Sequence, residues 1–201
     1  MIRFLAFAVL LAWPVAGQAA GPVDPDWPCV QRRQPQLSVA QLWSGPPVDA
    51  AIEARAKAPE IRRLAEVIAL RRTSMNQAER LVEEFAQGAT REDLTALFLA
   101  TFGQIQTARD RVMAGITRYA HQQEALDSQI EDKRHRFQEM TEAEPQDFDA
   151  MDDLEEEIDW ATRIFVDRQQ ALTYVCETPV ILEQRAFALG RTIAAKLPRQ
   201  P

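Results

Sequence analysis

Glycine, histidine, cysteine and aromatic residues are all scarce in this chain. Its 201 residues include 7 glycines, 2 histidines and 2 cysteines, and aromatics make up 7%. So little glycine leaves no phosphate-cradling loop, and neither a Walker-type lysine nor a dinucleotide fingerprint occurs. Two histidines and few serines deprive most hydrolase and metalloenzyme constellations of their parts. Positive charge is in deficit as well, with a formal net charge of −7. A negative field disfavours nucleic acid as the main partner, because phosphate binding draws on positive charge. What remains is rich in Ala, Leu, Glu, Gln and Arg, a mixture that favours helix over sheet.

Long apolar runs are missing too. The longest, Phe4–Trp13, spans 10 residues after Met1-Ile2-Arg3 and is broken by Pro14. That is too short to cross a bilayer, which takes about 20 helical residues. With small residues at Gly17 and Ala19, residues 1–19 read as a secretory signal peptide, cut before Ala20. The mature chain would then have no membrane span and would reside in the periplasm. Cys29 and Cys176 would meet an oxidising compartment there and close a disulfide around about 147 residues. No C-x-x-C occurs, so thiol exchange and covalent haem are not indicated.

Residues 20–48 hold Pro22, Pro25, Pro28, Pro35, Pro46 and Pro47 and read as an extended arm, with Trp27 and Trp43 as apolar anchors. Ser38 could cap a single turn over Val39–Trp43. A single helical domain follows, over residues 49–201. Helices are expected at Ala50–Lys57 behind an Asp49 cap, at Glu60–Arg72 after Pro59, and at Asn76–Gln87 ending on Gly88. Thr90 and Asp93 resemble a capping box, and no proline interrupts the chain from there to Pro145. A helix from Arg91 to Glu142 would be roughly 78 Å long. Gly103 and Gly115 are the places where it could bend or be closely approached.

Heptad stripes follow. Ile116, Gln123, Ile130 and Phe137 alternate with Tyr119, Leu126, Lys133 and Met140; after Pro145, Met151, Ile158, Phe165 and Leu172 alternate with Leu154, Ala161, Arg168 and Val175. Two matching stripes joined by a short turn predict a long antiparallel, coiled-coil-like hairpin over about 91–176. Thr178-Pro179 should start a separate last helix, Val180–Leu197. The fold class is therefore all-α: short N-terminal helices on a long hairpin, with a disulfide-tethered arm.

The most charged stretch is acidic. Glu142, Glu144, Asp147, Asp149, Asp152, Asp153, Glu155, Glu156, Glu157 and Asp159 follow one another with no basic residue between them. Three readings compete: a solvated tip salt-bridged to Lys133, Arg134 and Arg136, a partner-docking surface, or a site for a hard cation. The partner or cation surface would centre on Asp147, Asp149, Asp152, Asp153, Glu156 and Glu157, although no calcium-loop spacing is present. Arg109, Arg111 and Arg118 are candidates for an anion-binding surface. His121 and His135 fall on an outward heptad position about 21 Å apart, too far to share a metal, and are expected to be unpaired.

The segment Asp26-Trp27-Pro28-Cys29-Val30-Gln31-Arg32 resembles the opening of a family of exported bacterial α-helical proteins to which no activity is assigned. Gly115-Ile116-Thr117-Arg118-Tyr119 fits the same resemblance, which implies export and a helical fold. No catalytic residue, cofactor or metal ligand set emerges. The expected function is that of a non-enzymatic periplasmic interaction protein, such as an adaptor, assembly factor or chaperone-like binder, contacting another envelope protein. A cation- or small-anion-binding module is the alternative. Dimerisation through the outer helix faces is compatible with either.

Overall fold

A computed structural model describes Asp24 and residues 26–198. The expected signal peptide, residues 1–19, lies outside the described residues. Six helices follow one another: α1 (Val39–Leu42), α2 (Ala50–Arg55), α3 (Pro59–Ala69), α4 (Met75–Ala86), α5 (Arg91–Glu142) and α6 (Phe148–Ala194). No strand occurs among the described residues. None of the helices is long and apolar enough to cross a membrane.

Helix starts obey local chemistry. The Asp49 carboxylate accepts from the Ile52 N–H and the Ser74 hydroxyl from the Gln77 N–H, each satisfying an orphan donor of a first turn. Pro59 occupies the first turn of α3, where its missing N–H costs nothing. Thr90 and Asp93 form the expected capping box: the Asp93 N–H donates to Thr90 Oγ1 (3.1 Å) and the Thr90 N–H to Asp93 Oδ2 (3.0 Å). Asp93 also accepts from Arg55 Nε at 2.6 Å, which ties α2 to the start of α5. Ser38 makes no side-chain cap, and Gly88 lies one residue past the Gln87 C-cap without a positive φ.

Two sequence expectations about the long helices need correction. α6 does not end near residue 176; it runs through Pro179 to Ala194. Proline removes one backbone bond, to the Val175 carbonyl, and disfavours helix at Thr178. Against that local cost, Leu182, Ala186, Leu189 and Ile193 lie almost wholly buried beyond it. Each large aliphatic side chain so buried contributes about 1.5–3 kcal/mol, so tertiary packing prevails over the local breaker. α5 likewise passes through Gly103 and Gly115, and neither is a close-approach point: a Cβ at 103 would meet nothing within 4 Å. The close approach is at Gly190, where α6 passes the end of α1. A Cβ there would overlap the Leu42 carbonyl oxygen and stand 3.2 Å from Phe98 Cε2.

The main core lies at one end of the molecule. It is built from the short helices, the first part of α5 (Leu94, Leu97, Phe98 and Ile105) and the last part of α6. Trp43 stacks on Phe98 with ring centroids 4.4 Å apart and donates its indole N–H to the Pro46 carbonyl. Arg185 clamps the same region, donating from Nε and Nη2 to the Ile68 carbonyl and from Nη2 to the Thr73 carbonyl. These bonds satisfy carbonyls near the C-terminal end of α3.

Beyond this head the two long helices continue together as a limb. Arg109 of α5 faces Glu183 of α6, Tyr119 donates to the Arg168 carbonyl, Gln123 to the Phe165 carbonyl, and Lys133 to Glu157. Partners on α6 descend as those on α5 ascend. Ile130 and Leu154 are the large hydrophobics buried along residues 117–175, and the other seam residues are half-buried or exposed. Almost all the dry core therefore belongs to the head.

Candidate functional site

The arm crosses the two long helices where head gives way to limb. Cys29 and Cys176 form the expected disulfide, with Cα atoms 5.5 Å apart. Trp27 packs on Met113 and Ile116 of α5 and donates its indole N–H to the Gln31 carbonyl at 2.6 Å. The Thr117 hydroxyl donates to the Asp26 carbonyl. Farther along, the Leu37 N–H donates to Gln106 Oε1 at 3.1 Å. Both tryptophans anchor as their isolation on a proline-rich segment suggested.

His121 departs from its expected solitude. Its Nε2 lies 2.6 Å from Asp26 Oδ1, so it helps hold the arm. Heptad phase placed it correctly on the outside but could not show that the arm returns to that face. His135 pairs with Glu139 on its own helix, at 3.4 Å.

Arg109, Arg111 and Arg118 do not come together. Two and nine residues are roughly half-turns from Arg109 on a 3.6-residue helix. Arg111 and Arg118 accordingly lie on the exposed side, while the Arg109 side chain is 2% exposed. Arg109 is poorly matched for a buried cation. One guanidinium nitrogen reaches the Pro35 carbonyl at 3.4 Å, another lies 4.0 Å from Glu183, and Nε has no partner among the described residues. Burial lowers its pKa, against the opposing pull of Glu183 and Asp110. Burial likewise lowers Arg185, which has the better hydrogen bonds.

The acidic run lies at the far end of the limb. Asp147 caps α6, accepting from the Ala150 N–H at 3.1 Å. Asp149, Asp152, Asp153 and Glu156 are exposed on the first turns that follow. Only Glu157 in the run forms an ion pair among the described residues, with Lys133 Nζ at 2.7 Å. That hydrogen bond and the ammonium charge hold the Glu157 carboxyl below its ordinary range. The expected network is thus reduced to one bridge. Arg134 turns to Glu131 on its own helix, and Arg136 makes no ion pair among the described residues. Side chains diverging from one helix also fail to converge on a cation. Among the described residues no group of three or more His, Cys, Asp or Glu could hold a metal ion.

Heptad reading passed over the aromatic residues of this region. Phe148, Trp160 and Tyr174 are 66%, 64% and 76% exposed. At about 100° per residue, Trp160 and Tyr174 point away from the Leu154–Ile158–Phe165–Leu172 stripe that meets α5, whereas Phe148 lies about 120° round the helix from Trp160, on a flank. Trp160 and Tyr174 fall within about 40° of each other around the helix, roughly 21 Å apart along it. Their signal was present in the sequence as aromatics out of phase with both stripes. The open space beside Trp160 measures about 660 Å³ and is bounded by α6 alone, between Asp152 and Arg163. A small ligand there would be touched from one side only, unlike one held in an enclosing cleft.

No family model matches this chain, and neither does any curated protein or solved structure.

Proposed function

We propose that this is an exported, non-enzymatic interaction protein of the periplasm, whose outer α6 face docks another envelope protein. The opposed order of partners along α5 and α6 supports an antiparallel hairpin with a coiled-coil-like seam, held to the arm by the disulfide. Export is supported by the leader-like pattern of residues 1–19 and by a disulfide suited to an oxidising compartment. Adaptor, assembly factor and chaperone-like binder all remain within this reading.

The observation that carries the proposal is the exposure of Phe148, Trp160 and Tyr174 on a limb with hardly any core of its own. Aromatic residues supply large contact areas at low entropic cost and dominate interface energetics. A photocrosslinking residue placed at Trp160 or Tyr174, in cells carrying the native envelope, should capture the same discrete partner from both positions. The same probe at Glu79, exposed on α4 of the head, should not. Absence of an adduct from both limb positions, with the protein present at normal abundance, would refute the docking function.

A further inference from the structure

We propose that the outer face of α6 from Asp152 to Tyr174 is the docking site for a basic amphipathic helix of the partner. The inference rests on the docking function above and specifies the chemistry of what docks.

Charge supplies the first argument. Asp152, Asp153, Glu156 and Asp159 crowd the turns before Trp160, and Asp167 lies two turns beyond it. Arg163 is the lone cation on the outward side between Asp149 and Tyr174. The chain does not neutralise this surface from within, since its one ion pair with α5 uses Glu157. A partner that covers Trp160 must remove water from neighbouring carboxylates, and only one carrying Lys or Arg returns the lost interaction. Anionic lipid and nucleic acid are disfavoured by the same field.

Spacing supplies the second. Trp160 and Tyr174 stand about 21 Å apart along the helix axis, and with the outward acids from Asp152 onward the face is about 33 Å long. A partner helix of about 22 residues matches that length and can lie along α6 at the shallow angle of coiled-coil packing. An extended strand is a poorer fit, because it would find no sheet edge for its backbone donors and acceptors. The partner's apolar stripe would cover the rings and its flanking cations the acids.

The test uses the mature, oxidised protein and three synthetic peptides of about 22 residues, the length set by the helical rise. One has a Leu stripe flanked by Lys, one has Glu in place of every Lys, and one scrambles the Lys/Leu order to abolish the stripe. Trp27 and Trp43 are buried, so acrylamide-quenchable emission of the mature chain reports on Trp160. The Lys/Leu peptide should shield that emission and bind in anisotropy titrations, and the other two should bind much more weakly. W160A should weaken binding by about tenfold or more, as loss of an aromatic anchor does. D152N/D153N/E156Q/D159N should weaken it comparably, whereas E53Q/E79Q/E84Q/E92Q on the head should leave it unchanged. All these positions are exposed, and an unchanged thermal melt checks that each variant folds. Equal binding of the Glu peptide, or equal loss on neutralising the head, would overturn the proposal. If crosslinks from positions 160 and 174 still capture a partner, docking stands and the basic-helix inference alone fails.

Discussion

Opening the Cys29–Cys176 bridge is expected to lower stability mainly by releasing the unfolded chain. The bridge joins residues 147 apart in sequence. In the chain-entropy account, closing a loop of that length restricts the unfolded ensemble by about 5 kcal/mol at 25 °C. The folded state should change little, because the arm has other holds. Trp27 sits on Met113 and Ile116, Thr117 donates to the Asp26 carbonyl, and Gln106 accepts from Leu37. C29A/C176A should therefore unfold in urea with a stability lower by about 3–5 kcal/mol, a large part of the roughly 5–15 kcal/mol typical of a domain. Its m-value should rise, since an unlinked chain exposes more surface on unfolding. Reduced wild-type protein, which loses the bond but no side-chain atoms, should behave alike.

Far-ultraviolet circular dichroism against urea measures both quantities, and acrylamide quenching of the folded variant reports whether Trp27 stays buried. A loss below about 1 kcal/mol with an unchanged m-value would refute the entropic account, which requires the long loop to dominate. A folded variant with Trp27 exposed would show instead that the bridge alone keeps the arm in place.

G190A should be strongly destabilising, although alanine normally favours a helix interior by about 1 kcal/mol. Its methyl group would overlap the Leu42 carbonyl and press on Phe98, so α1 must move. A loss of about 1–3 kcal/mol is expected from such overpacking, and a melt equal to or above wild type would disprove it. R109M should be nearly neutral or stabilising. It exchanges a buried, weakly paired cation for an apolar side chain of similar length, and the Glu183 left behind is 46% exposed and keeps its hydration, so no buried charge is stranded. A measured loss above about 2 kcal/mol in urea unfolding would show that the contacts to Pro35 and Glu183 outweigh the desolvation cost.

Helix class, arm, disulfide and long helices were legible because each rests on a short-range or periodic signal. Thr90 with Asp93 announces a capping box, and two cysteines behind a leader-like segment leave one pairing. What escaped depends on contacts distant in sequence. Nothing near Pro179 reveals that Leu182 to Ile193 will fill the head and carry α6 through the proline. Nothing near Gly190 reveals a carbonyl arriving from residue 42. Arg185 reads as one more helix cation until the Ile68 and Thr73 carbonyls appear beside it. The acidic run illustrates a subtler limit. Folding the chain about Pro145 puts Lys133, Arg134 and Arg136 near the acids, but exposed pairs are worth only about 0–1 kcal/mol, so proximity did not secure three bridges.

These features divide α6 into two parts with different physical tasks. Beyond Pro179, Leu182, Ala186, Leu189 and Ile193 turn inward and hold the head together against α1, α4 and α5. Before Cys176, Trp160 and Tyr174 turn outward and the seam toward α5 is only half-buried. The arm crosses at that boundary, with the disulfide on one helix and Trp27 on the other, and so ties both long helices together where the dry core runs out. Two fully buried aliphatic side chains supply only about 3–6 kcal/mol, and ordering a residue's backbone costs about 1–2 kcal/mol. Backbone hydrogen bonds and half-buried seam contacts must therefore carry most of the limb. A covering partner would add apolar burial where the chain itself has least, without drawing on the core that keeps the head folded.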